Sequence, residues 1–78
     1  MTQIIVKGKF LKVPSGTWIK MSEINGIRIY PDSENKIFRV CLVALVGNLF
    51  TLDECSTKEE ADLVAEQMVD ILNRPLHE

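Results

Sequence analysis

The segment KIFRVCLVALVGNLFTL (36–52) constrains this chain more than any other. From Ile37 to Val46 the only charge is Arg39, and Val40–Val46 is an unbroken apolar run of seven residues. That run is far short of the roughly 20 residues a membrane-spanning helix requires. It reads instead as a β-strand that is apolar on both faces. The Gly47–Asn48 pair between two apolar stretches predicts a two-residue hairpin turn. In that register Leu45 faces Phe50 and Val43 faces Leu52.

The chain is only 78 residues long, enough for one domain with a marginal core. The burden on the rest of the chain is therefore severe. Four strands spaced about 4.8 Å apart span roughly 19 Å, and a helix about 10 Å across shields about half of one sheet face. One helix cannot serve both faces. The predicted hairpin puts Ile37, Cys41, Val43, Leu45, Phe50 and Leu52 on one face, where the helix is expected. The other face carries Phe38, Val40, Leu42, Ala44 and Val46, with Leu49, and is expected to meet a second copy of the chain. Burying four of its larger side chains is worth about 6–12 kcal/mol per chain. A two-fold dimer doubles that gain against an association cost of about 4–15 kcal/mol. A curled half-barrel, with the N-terminal strands folded over the strip, is the alternative.

Upstream, QIIVKGKFLKV (3–13) is rich in strand formers, but its alternation inverts near Gly8, which predicts a bulge or bend. Turns are expected at 14–16 and 22–25, short alternating strands at 17–21 and 26–30, and a loop at PDSEN (31–35). Downstream the period changes from two to 3.6. Ser56 or Thr57 can cap a helix, with Glu59 or Glu60 three residues on. Ala61, Val64, Ala65, Met68, Ile71 and Leu72 then share one helical face, and Pro75 stops the helix. The expected fold is α+β: an antiparallel β-meander of four to five strands within 3–52, a C-terminal amphipathic helix at about 57–73, and a short tail, in a single domain spanning 1–78.

Chemistry is sparsely represented. The one histidine, His77, stands one residue from the C-terminus, where a general base has nothing to hold it. Cys41 belongs to the apolar strand, and Cys55 precedes the helix with only Lys58 as a basic neighbour in sequence. With the predicted turn the two thiols face opposite sides of the sheet and stay free. The set Cys41, Asp53, Cys55 and His77 lacks the short paired spacings of a zinc site, and the four glycines form no phosphate-cradling loop. No metal, cofactor or catalytic residue is expected.

Charge is distributed unevenly. Residues 1–39 hold seven basic and three acidic side chains, a net +4; residues 40–78 hold two basic and eight acidic ones, a net −6. The helix carries an acidic stripe, Asp62, Glu66 and Asp70. Composition is globular, no signal peptide is evident, and two cysteines suit a reducing compartment. The expectation is therefore a cytoplasmic, non-enzymatic module that binds another protein as adaptor, regulator or inhibitor. It would self-associate through Phe38, Val40, Leu42, Ala44 and Val46, with no membrane contact. The alternative is a nucleic-acid-binding module using Lys7, Lys9, Lys12, Lys20 and Arg28, with Phe10, Trp18 and Tyr30 interleaved. Against it stand a pI near 5.3 and the reading of Trp18 as a core residue.

Overall fold

The computed structural model describes residues 4–73. Six strands form two antiparallel three-stranded sheets, and one helix follows. The first sheet comprises β1 (Ile5–Lys7), β2 (Phe10–Lys12) and β3 (Trp18–Lys20). A 3₁₀ turn, Met21–Glu23, leads into the second, made of β4 (Ile24–Asp32), β5 (Ile37–Ala44) and β6 (Leu49–Cys55). Helix α1 (Lys58–Asn73) closes the described chain and packs on all three strands of the larger sheet. The class is α+β, with six strands where four to five were expected.

The extra strand comes from Gly8. At φ +58 it takes the first central position of a two-residue turn, with Lys9 at an ordinary φ, which is the II′ pattern that suits hairpins. Lys7 pairs with Phe10 across it. The break in alternation is thus a hairpin, and the segment 3–13 supplies two strands.

At the β5–β6 connection the predicted two-residue turn is replaced by a longer one. The Gly47 amide donates to the Ala44 carbonyl and the Ala44 amide to the Asn48 carbonyl, both at 2.9 Å. Leu45, Val46 and Gly47 form the loop, with Gly47 at φ +86 as its third residue. This is a three-residue hairpin, in which a β-turn ends on a left-handed glycine. Val43 therefore pairs with Leu49 and Leu42 with Phe50. An irregularity opposite Val40 and Cys41 admits Leu52 as an extra residue, after which Phe38 pairs with Cys55.

That register decides which face is inside. Val40 and Leu42 are fully buried in a cluster with Leu52 and Cys55 of β6, Ala61, Val64 and Met68 of α1, and Leu11, Val13, Ile19 and Met21 from the first sheet and its flanks. Helix and small sheet together cover the strip that contains Phe38, Val40, Leu42 and Ala44. The expectation that α1 lies on the Ile37, Cys41 and Val43 side is overturned, and Phe50 and Leu52 belong with the opposite set. Val40 and Leu42 at 0% and Ala44 at 8% exposure are covered within the chain itself, and Phe38 is half-buried. Only Val46 of the five residues assigned to self-association is exposed, at 81%.

Among the described residues the other face of β5 carries no second layer. Arg39, the strand's single charge, spans it: Nη1 lies 2.6 Å from Asp32 Oδ2 on β4, and Nε lies 2.9 Å from Glu54 Oε2 on β6. Arg28 stacks over Tyr30 at 5.4 Å, and Cys41 is buried in the row between Arg28 and Thr51. Charged side chains with long apolar stems close the sheet where another element was expected.

Candidate nucleic-acid interface

The small sheet has two unlike faces. Along β2 and β3, Leu11 and Ile19 turn into the core. Period-two alternation then sends Ile5, Lys7, Phe10, Lys12, Trp18 and Lys20 to the opposite side. Cross-strand pairing arranges these six in two rows: Lys7–Phe10–Lys20 and Ile5–Lys12–Trp18. Phe10 is 46% exposed and Trp18 44%, and Lys7 and Lys20 are exposed beside them. Lys12 is half-buried, its Nζ 5.9 Å from the Trp18 ring centroid, a cation–π approach. No Asp or Glu precedes Glu23 in the chain, so these strands bear no acid to neutralise the lysines.

Of the five basic residues singled out in the sequence, Lys7, Lys12 and Lys20 converge on this face. Lys9 is exposed at the β1–β2 turn on its margin. Arg28 does not join them, because it lies on the larger sheet over Tyr30. Trp18 corrects the expectation of a core residue. In TWIK the inward place goes to Ile19, and Trp18 shares the parity of Lys20. Nothing in composition marks that choice, but the alternation with lysine does.

The remaining candidates are structural. Burial pushes the Cys55 thiol up, and the Asp53 and Glu60 carboxylates push it the same way, so it stays protonated and unreactive. Cys41 and Cys55 are both buried and free. Their register partners, Thr51 and Phe38, put them on opposite faces of the larger sheet. The expected separation therefore holds although the expected register does not. Among the described residues no three His, Cys, Asp or Glu side chains are grouped to hold a metal ion. His77 lies outside the described residues. Asp32 is held at about 2, below its ordinary 3.8, by hydrogen bonds from the Asn35 side chain and backbone and then from Arg39. These bonds organise the β4–β5 turn and aim nothing at a substrate. No helix among the described residues is long and apolar enough to cross a membrane.

No family model, curated protein or solved structure matches this chain.

Proposed function

We propose that this chain is a small non-enzymatic binding module whose N-terminal sheet takes nucleic acid on its solvent face. One observation carries the reading: Lys7, Lys12 and Lys20 share that face with exposed Phe10 and Trp18, and no acid lies among them. Three phosphate contacts imply non-specific affinity, on the order of 10⁻⁴–10⁻⁶ M at physiological salt. The net charge of −2 does not oppose it, because none of the eleven acidic residues lies on β1–β3 and five of them are on α1. The test is fluorescence anisotropy of a labelled oligonucleotide. With three charges neutralised, affinity should fall about 20-fold between 50 and 200 mM salt. Absence of binding at 50 mM, or binding indifferent to a Lys7→Gln/Lys20→Gln double variant, would refute the reading.

A second reading, self-association or docking to another protein, is favoured by the β5–β6 tip. Leu45, Val46 and Leu49 are 63%, 81% and 51% exposed there. Three side chains fall well short of the roughly 800 Å² per partner of a stable interface. A contact through the tip is accordingly weak and transient. Sedimentation at micromolar concentration should give a monomer near 8.9 kDa.

A further inference from the structure

We infer that the outer face of β1–β3 is specific for single strands, with Phe10 and Trp18 each stacking one base. This rests on the nucleic-acid reading above and adds the feature that selects the ligand. Phe10 pairs with Lys20, and Lys12 with Trp18. These four residues make a square with the aromatics on one diagonal and the lysines on the other. Diagonal neighbours across an antiparallel pair stand about 7–8 Å apart. Consecutive bases of a strand stretched to about twice the roughly 3.4 Å duplex rise would have the same spacing. The lysine diagonal then flanks the same dinucleotide, and Lys7 extends the positive row beyond Phe10.

Phe10 and Trp18 are 46% and 44% exposed on this sheet face, with Lys12 over one side of the Trp18 ring, so each ring keeps exposed surface on which a base can stack. A duplex cannot use them, because its bases are already stacked on one another. Base–aromatic stacking is also indifferent to base identity, so the site should read strandedness and not sequence. The acidic face of α1 from a second copy (Asp62, Glu66, Asp70) is the competing occupant on charge alone. It offers carboxylates to the lysines but nothing flat to the two rings.

Trp18 is the only tryptophan in the chain, so its emission reports on this site alone. The experiment titrates the whole protein at 50 mM salt with an oligothymidine, a duplex of equal phosphate number and inorganic polyphosphate. Oligothymidine should quench Trp18, while duplex and polyphosphate leave the emission nearly unchanged. Phe10→Ala should weaken oligothymidine binding roughly 5- to 150-fold without changing the salt slope. Lys20→Gln should instead lower that slope by about 0.7. Phe10→Leu keeps an apolar side chain on the sheet but no ring, and serves if the alanine variant loses its circular dichroism. Equal affinity for all three polyanions without quenching would overturn the stacking inference and leave the electrostatic reading standing. No binding of any of them would remove both. Salt-sensitive self-association abolished by Lys7→Gln/Lys20→Gln, which oligothymidine does not displace, would assign the face to the second copy.

Discussion

Single side chains hold the ends of the elements in place, and two of them can be tested directly. The Thr57 hydroxyl accepts the Glu60 amide at 3.1 Å, so Thr57 and not Ser56 caps α1. Replacing Thr57 by Ala should cost about 0.5–2 kcal/mol in urea melts, with Ser56→Ala nearly silent. Asp32 gathers four hydrogen bonds: the Glu34 and Asn35 amides on Oδ1, and the Asn35 side chain and Arg39 on Oδ2. Its folded pKa of about 2 lies below the ordinary 3.8, so the folded state binds its proton less tightly than the unfolded chain. That stabilisation is fully present above about pH 4 and disappears as pH falls through about 2. Acid titration of the Asp32→Asn variant should show a shallower loss of stability across this window. An unchanged profile would mean that the turn does not survive in solution.

At the scale of the element, β5 and the turn that follows it are informative because the same apolar run is treated so differently along its length. Leu42 is fully buried between the helix and the small sheet, whereas Val46, four residues on, is 81% exposed in the turn. Leu42→Ala should therefore cost about 2–5 kcal/mol. Val46→Ala should fall within about 0.5 kcal/mol of the unsubstituted protein. Leu42→Asp should unfold the chain outright, since the carboxylate would enter a core with no partner. A folded Leu42→Asp protein of altered mass would restore the dimer strip. Most of the elements were legible beforehand, for local reasons. The period of 3.6 after Cys55 and the capping residues mark the start and course of α1, and alternation marks β3 and the centre of β4; Pro75 lies outside the described residues. Register was not legible. Gly47 suits the first place of a two-residue turn as well as the third place of a longer one. Only the fit of Leu42 and Leu52 into one core distinguishes the two.

The whole molecule is organised around one cluster that joins both sheets and the helix. Trp18 lies on the small sheet, and helical circular dichroism follows α1. Unfolding in urea should therefore give coincident transitions by Trp18 fluorescence and by circular dichroism, because neither sheet has a core of its own. A separate, earlier fluorescence transition would show that β1–β3 unfolds independently. Charge is divided by element at this scale too, with lysines on β1–β3 and carboxylates on α1. A module of negative net charge can in this way keep a positive face.

The sequence by itself determined the α+β class, the helix with its cap narrowed to Ser56 or Thr57, and the segregation of charge. Each depends on periodicity, on a local hydrogen bond or on side-chain identity, all of which act over a few residues. Tertiary structure alone decided which face of β5 is inside, and that Arg28 stands apart from the lysines. It also decided that Trp18 faces water while Ile19 goes in. Those outcomes depend on register between strands distant in sequence. A shift of one residue there exchanges the two faces while leaving the local pattern of apolar and polar residues unchanged.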